Sequence, residues 1–405
     1  MATTYAGACR MDMGAMAVDW QERIDFERLR ADRQRKVRDA LAKHNVDVLL
    51  CWRYENYRYL TSARNHEWPT FQPTWAAGIA REGDPFFWDM DRETIVANMP
   101  WVNGDDIIGE LRIAETDGVA ELWCREVREA CNKRKVKPKR IAIDVLTVPM
   151  MKALAKEFPE AELVNGQQVV IEARMIKTPD EVRCLLMAYQ ITAAGMETAR
   201  SLLRVPNMTE SALLGEAYRV MYGHGSEWTQ CTNIVCSGGS TYPYRRLTTD
   251  KIIHPGDAVI VDIGGRFNGY YGDFTRCFIA GEDARATRTQ QDLYRKNYDA
   301  LCRAQEALKI GNTTADVYKA VGEDCVWGGV LGHGIGIGPT ELPKINRRSL
   351  VEPTALEPGM VFSIEPYTTD NRSDGIRLEN NYVITETGAT VLGPFPHDPK
   401  LLAAC

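Results

Sequence analysis

The chain has 405 residues, too many for a single hydrophobic core of ordinary size, so two domains are expected. With 44% apolar and 26% charged residues it has the make-up of a soluble globular protein, which sets aside disordered and fibrous classes. A net charge of −6 offers no electrostatic footing for nucleic acid or an anionic membrane surface, and neither is expected as a partner.

The first twenty residues, MATTYAGACRMDMGAMAVDW, lack the basic start and continuous apolar core of a signal peptide. No stretch approaches the roughly 18 apolar residues of a membrane span. The eleven cysteines are scattered without a CxxC pair, the pattern of a reducing compartment, so a cytoplasmic location is expected. From Glu27 to Asn45 the spacing of Leu29, Val37 and Leu41 predicts a charged amphipathic helix. The apolar run Val46 to Trp52 reads as a buried strand, with further strands at Phe86–Trp88 and Ile141–Val145 and a helix at Val119–Cys131. Such alternation predicts an α/β N-terminal domain. The basic run Lys133 to Arg140 is read as a solvated loop.

Thr178-Pro179-Asp180-Glu181 is a strong helix start, with Thr as N-cap, Pro at the first helical position and Glu placed for a capping box. It sets the division into an N-terminal domain over 1–175 and a C-terminal domain over 176–405. Helices are predicted at 179–203 and 208–223, then strands at Thr232–Cys236, Ala258–Ile263 and Cys277–Ala280. A helix at Ala286–Lys309 and another near 314–324 precede strands at Met360–Glu365, Ile376–Leu378 and Asn381–Thr385. Helices gathered with mostly antiparallel strands make this half α+β.

Chemistry concentrates there. Asp262 ends the apolar run Val259-Ile-Val-Asp, and Asp273 lies on the expected returning strand after the turn-like Gly264–Gly269. His333 sits in the glycine-rich Leu331–Gly338, read as backbone of unusual freedom; no Lys-Ser/Thr follows, which argues against a phosphate loop. Two more carboxylates follow on strands, Glu365 and Glu379. Buried anions need a counter-charge, and a pair of metal ions supplies one. Four carboxylates and one imidazole suit Mn, Fe, Co or Zn. Two such ions about 3.5 to 4 Å apart can share a bridging hydroxide that attacks a carbonyl or amidine carbon.

The order Asp, Asp, His, Glu, Glu, in the segments VDIGGRFNGYYGDFTR, GHGIGIGPTELP, VFSIEP and GIRLENNYVITETG, resembles metallopeptidase family M24 over about 178–395. NYRYLTS at Asn56–Ser62 looks like the creatinase/prolidase N-terminal domain. The resemblance implies a C-terminal pita-bread domain behind a smaller α/β domain, in the prolidase, aminopeptidase P and creatinase branch, and a homodimer. It also implies that Asp262 and Asp273 hold one metal, that Asp273, His333 and Glu365 hold the other, that Glu379 bridges, and that Glu365 and His333 are catalytic, with Glu365 handling protons. It departs from the family twice. Tyr244 stands where the peptidases carry a His in Cys236–Tyr244, and Thr340 where a second His precedes Glu-x-Pro. The DddP-type lyases of dimethylsulfoniopropionate also lack both histidines, and GSEWTQ (225–230) looks like theirs; they carry a further acid where this chain has Gly264.

Tyr242, Tyr244 and Arg245 are candidates to replace the histidines as hydrogen-bond and anion partners, and Thr340 for a place beside the substrate. His66, His224 and Arg377 are further candidates for the substrate. His66 lies in a loop of the kind that can reach a neighbour's site in dimers of this branch, with a surface loop as the alternative. His224 lies between a helix and a strand, with a turn as the alternative, and Arg377 is expected on one strand face with Glu379, where orienting the cluster is the alternative. His44, His254 and His397 read as loop or solvent-facing residues. The expected function is a dinuclear-metal hydrolase cleaving a C–N bond in a small or dipeptide-sized substrate through the bridging hydroxide. The alternatives are a DddP-like lyase on the same metal site and a non-catalytic binding scaffold.

Overall fold

The computed structural model describes residues 24–63, 75–89, 92–109, 116–229 and 234–402. They fall into two compact units, Phe26–Arg174 and Met175–Cys405, with Ile24 and Asp25 belonging to the second.

The first unit runs α1 (Phe26–Lys43), β1 (Val48–Cys51), α2 (Tyr54–Thr61), β2 (Ala76–Ala80), β3 (Phe86–Trp88), α3 (Arg92–Asn98), β4 (Ile107–Gly109), α4 (Asp117–Lys133), β5 (Arg140–Ile143), α5 (Val148–Glu157), β6 (Glu162–Asn165) and α6 (Gln167–Met175). Its six strands form one mixed sheet in the order β4-β3-β2-β1-β5-β6. β1 and β5 are parallel and β1 and β2 antiparallel. Val48, Leu50, Ile141 and Ile143 share a core with Trp123 and Val127 of α4 and with Met150 and Leu154 of α5. A Cβ on Gly78 of β2 would stand 2.2 Å from the Phe86 ring, so only glycine lets that ring cross the strand. The NYRYLTS segment is helical, α2 with its left-handed cap at Ser62.

In the second unit α7 (Pro179–Leu202) opens on the expected capping box: the Glu181 amide donates to Thr178 Oγ1 and the Thr178 amide to Glu181 Oε2, 2.8 Å. Next come α8 (Glu210–Gly223), β7 (Ile234–Ser237), β8 (Ala258–Ile263), β9 (Arg266–Phe267), β10 (Tyr270–Tyr271), β11 (Phe274–Ile279), α9 (Arg288–Ala307) and α10 (Thr314–Val321). The chain continues through β12 (Val330–Gly334), β13 (Glu341–Asn346), β14 (Val361–Ile364), β15 (Tyr367–Thr369), β16 (Gly375–Arg377), β17 (Asn380–Thr385) and β18 (Gly388–Val391). A three-stranded sheet β11-β8-β7 and a five-stranded sheet β13-β12-β14-β17-β18, both antiparallel, carry the buried face, with β9–β10 and β15–β16 as small ladders.

Two local expectations are corrected. The glycine-rich stretch around His333 is not a free loop but strand β12, and Gly332 and Gly334 do not use left-handed backbone. They are glycines because neighbouring backbone crosses too closely: a Cβ on Gly332 would lie 2.4 Å from the Ser363 carbonyl, and one on Gly334 2.8 Å from that of Leu342. Arg377 and Glu379 do not share a strand, because the chain leaves β16 at Arg377 and joins the five-stranded sheet only at Asn380. His44 and His397 lie in loops, half-buried and bonded to Glu172 (2.8 Å) and to the Tyr294 hydroxyl (2.8 Å).

Candidate metal centre

The acids expected at strand ends are there. Asp262 is the penultimate residue of β8, paired with Thr275 of β11, and Asp273 immediately precedes β11. His333 on β12 pairs with Ser363 on β14, which pairs in turn with Asn381 on β17. Glu365 follows β14 and Glu379 precedes β17. All five side chains are buried, the most open being Glu365 at 7%.

Asp273, His333 and Glu379 each offer a ligand atom within 4.8 Å of the others. The His333 Nε2 lies 3.9 Å from Asp273 Oδ2 and 4.0 Å from Glu365 Oε1. Its Nδ1 is 2.9 Å from the Gly334 carbonyl, which can only accept. Nδ1 therefore carries the proton, and the Nε2 lone pair faces the acids. Burial pushes the imidazole down to about 4, opposed by the Gly334 hydrogen bond and helped by Arg377, so it is neutral near pH 7.

Small polar residues two positions from the acids hold the cluster. Glu379 accepts from Thr275 Oγ1 at 2.6 Å on one oxygen and from the Ser363 hydroxyl on the other. Asn381 donates to the Asp273 carbonyl (2.5 Å) and to Ser363 Oγ (3.1 Å) and accepts from the Asp273 amide (3.3 Å). Buried Arg276 donates to the Glu379 carbonyl at 2.7 Å and to Asn380 Oδ1 at 2.9 Å, fixing the crossover between sheets. Sequence reading missed these four. The available signal was the strand period of two: Thr275, Ser363 and Asn381 stand at i+2, i−2 and i+2 from Asp273, Glu365 and Glu379, and so on the ligands' own face.

The Arg377 guanidinium lies inside the cluster. It is bonded to Glu365 Oε2, with Nε 3.7 Å from Asp262 Oδ2 and Nη2 3.9 Å from Glu379 Oε2. Tyr244, expected to face a substrate, gives its hydroxyl to Asp262 Oδ2 at 2.6 Å, and its ring lies under Arg377, 4.4 Å from Cζ. Burial raises the Asp262 carboxyl above its ordinary range; Arg377 pulls it down and Glu379 pushes it up. Asp262 Oδ1 is buried and has no hydrogen-bond partner. Four carboxylates thus face one guanidinium, with an undonated oxygen and an imidazole lone pair turned toward them. That donor set fits divalent cations.

Among the described residues, Tyr242, Thr340 and His224 are not bonded to the cluster. Tyr242 is half-buried beside Tyr244, and Thr340 is exposed just before β13. Its neighbour Glu341 is buried, paired with Lys177 at 2.9 Å, and accepts from the Gly338 amide. His224 is the exposed C-cap of α8, bonded through its backbone. His66 lies outside the described residues.

Residues 183–386 match the model of metallopeptidase family M24, and residues 33–176 that of the creatinase/prolidase N-terminal domain. The chain belongs to metallopeptidase family M24, metal-dependent hydrolases with a creatinase-like domain ahead of a pita-bread domain. It is 30% identical to the uncharacterized peptidase YqhT of Bacillus subtilis over 91% of this chain and 98% of that one. It is 29% identical to the Xaa-Pro dipeptidase of Pyrococcus furiosus over 59% of this chain and 67% of that one. A solved prolidase structure from the latter organism superposes with a TM-score of 0.70 at 20% identity, over 89% of this chain and 100% of that one. The dimethylsulfoniopropionate lyase DddP of Roseovarius nubinhibens is 25% identical over 98% of this chain and 92% of its own. Among the described residues no helix is long and apolar enough to cross a membrane.

Proposed function

We propose that the chain is a hydrolase of dipeptide-sized substrates that cleaves a C–N bond at a site loaded with two divalent ions drawn from Mn, Fe, Co and Zn. The observation that carries this reading is the buried cluster itself, four carboxylates against one guanidinium with Asp262 Oδ1 left without a donor. Asp262, Asp273, His333, Glu365 and Glu379 are its ligands. When bound, the ions polarise the scissile carbonyl and lower the pKa of water. Glu365 keeps one oxygen on Arg377, and its Oε1 is placed to take a proton from the attacking water and pass it to the leaving amine. His333 holds its lone pair toward the acids through Gly334. Arg377 and Tyr244 together fix the Asp262 side chain. The same reading takes the protein as a cytoplasmic homodimer.

One observation favours a second reading, a lyase that removes a proton next to a carboxylate. Tyr244 and Thr340 replace the two histidines expected of a peptidase, and similarity to a dimethylsulfoniopropionate lyase spans nearly the whole chain. A panel of Xaa-Pro dipeptides and dimethylsulfoniopropionate, run with each metal and read by mass spectrometry, separates the two. Proline release with no acrylate supports the hydrolase; acrylate with no proline overturns it.

A further inference from the structure

Lys177, the residue before the capping box of α7, and Glu341, the first residue of β13, form an ion pair at 2.9 Å between side chains that are 2% and 5% exposed. Taking both charges out of water is costly, and apolar residues of similar size often serve stability as well. What the pair holds therefore matters more than the energy it contributes. Lys177 is anchored by its own amide, which donates to the Gly359 carbonyl at 2.8 Å just ahead of β14. Its ammonium fixes Glu341 Oε2, and Glu341 Oε1 accepts from the Gly338 amide at 2.8 Å. The carboxylate lies so close over Gly336 that a Cβ there would stand 2.7 Å from Oε2. The Gly336 carbonyl accepts in turn from the Tyr271 amide at 3.0 Å, in the segment that leads to Asp273.

The clamped segment begins where the β12–β13 ladder is irregular. His333 pairs with Lys344, and the next residue, Gly334, pairs with Glu341, so β13 advances from 344 to 341 while β12 advances by one. On its other edge β12 pairs with β14 without interruption. A bulge of this kind leaves backbone unpaired and re-aims the side chains beside it. Here it falls between an imidazole and its own partner, since His333 Nδ1 is bonded to the Gly334 carbonyl at 2.9 Å. Glu341 stands opposite Gly334, and its side chain reaches across the bulge to Gly336 and Gly338. Loosening that side chain lets the Gly334 carbonyl turn, and with it the choice of which imidazole nitrogen carries the proton.

We propose that the buried Lys177–Glu341 pair is a positioning device for His333: it holds the bulge so that the Gly334 carbonyl keeps the Nδ1 proton and Nε2 faces the acids. Its effect on metal rests on the reading of that cluster as a metal site; its effect on the imidazole does not. The test compares full-length wild type with Lys177→Met and with the double variant Lys177→Met/Glu341→Gln, all carrying isotope-labelled histidine. In the chelated wild type the His333 signal in nitrogen NMR, identified by its loss in His333→Gln, should show a single tautomer with the proton on Nδ1. In Lys177→Met it should move to a mixture of both tautomers. Affinity for Mn or Zn, by calorimetric titration, should fall about 10-fold, the scale seen when an outer partner of a ligand is lost. The double variant removes both charges and leaves an amide oxygen for Gly338, so it remains readable where the lone buried charge of Lys177→Met prevents folding, and it should show the same two changes. A wild-type tautomer signal in the folded variants overturns the assignment, whatever loss of stability urea unfolding reveals. So does a wild-type His333 protonated on Nε2, or an unchanged metal affinity once the tautomer has moved. A wild type that binds no metal removes the metal reading alone, and the tautomer signal still decides the positioning.

Discussion

In the unit Phe26–Arg174, Asp144 accepts hydrogen bonds from the amides of Trp52 (2.7 Å) and Arg53 (3.1 Å) and from Asn56 Nδ2 (2.8 Å). Asn56 in turn accepts from Arg174 at 2.5 Å. In the other unit Asp262 is as deeply buried, yet one of its oxygens has no donor and three further acids crowd the same space. Among the described residues both units bury acids, but only the second leaves a buried carboxylate oxygen, Asp262 Oδ1, without a donor. A carboxylate whose lone pairs are answered by backbone and amide donors joins two segments of a fold. A set of carboxylates with fewer donors and cations than it requires is kept for something that arrives later.

The comparison breaks first, and by the largest effect, on the ligands. Asp262→Ala and Glu379→Ala should each abolish stoichiometric metal binding and lower turnover by about three orders of magnitude or more. Asp144→Ala should leave metal content per chain unchanged. Metal analysis of the purified variants decides it: loss of metal from Asp144→Ala, or full loading of Asp262→Ala, would erase the distinction.

Next comes Arg377, the one cation within the cluster among the described residues. Arg377→Met leaves four buried acids without a counter-charge and should destabilise the metal-free protein by about 3 to 5 kcal/mol. Divalent ions should restore more stability to this variant than to wild type, since binding to the folded state alone adds stability. Urea unfolding with and without metal measures both; equal metal-induced gains would show that the guanidinium and the ions do not balance the same charge.

The unit with Asp144 offers a pH test. Burial pushes the Asp144 carboxyl up to about 6, above its three hydrogen bonds' power to lower it. An acid with a raised folded-state pKa contributes stability that is fully present below about pH 4 and is lost as pH rises through 6. Asp144→Asn has no such ionisation, so its unfolding free energy should fall less than that of wild type between pH 4 and 7, by on the order of 2 kcal/mol. Parallel curves would mean that Asp144 ionises freely in the fold.

How much of this was legible in the sequence differs between ligands and their supports. Asp262, Asp273, Glu365 and Glu379 were legible as a set: an Asp at a strand end is ordinary by itself, and only the order Asp, Asp, His, Glu, Glu over several segments, with its resemblance to family M24, picks them out. The glycines around His333 were visible too, but their cause was not: Gly332 answers to the Ser363 carbonyl 31 positions later, a contact that exists only once β12 and β14 pair. Tyr244 was noticed for what it replaced, while its bond to Asp262 depends on a fold that brings β8 beside the 238–244 segment. Thr275 and Ser363 drew no notice, since a hydroxyl inside a strand is ordinary until Glu379, 104 and 16 positions away, is found between them.

Those two hydroxyls give the finest test of the comparison. They donate to both oxygens of Glu379, which sits in the break between β16 and β17 and has no strand ladder of its own to orient it. If that carboxylate is a ligand, its supports act through it. Thr275→Val keeps the β-branched shape and removes only the donor, so the core that Thr275 shares with its strand is preserved. Metal affinity should then fall by about 10-fold, in the range seen when an outer partner of a ligand is lost, and metal-free stability by about 1 kcal/mol. The direction separates the two kinds of acid: the parallel loss at Asp144, Asn56→Ala, should lower stability and leave metal affinity unmoved. Calorimetric titration of the chelated proteins with Mn and Zn reads both variants, and an affinity loss confined to Thr275→Val would tie Glu379 to the metal through a residue that never touches it.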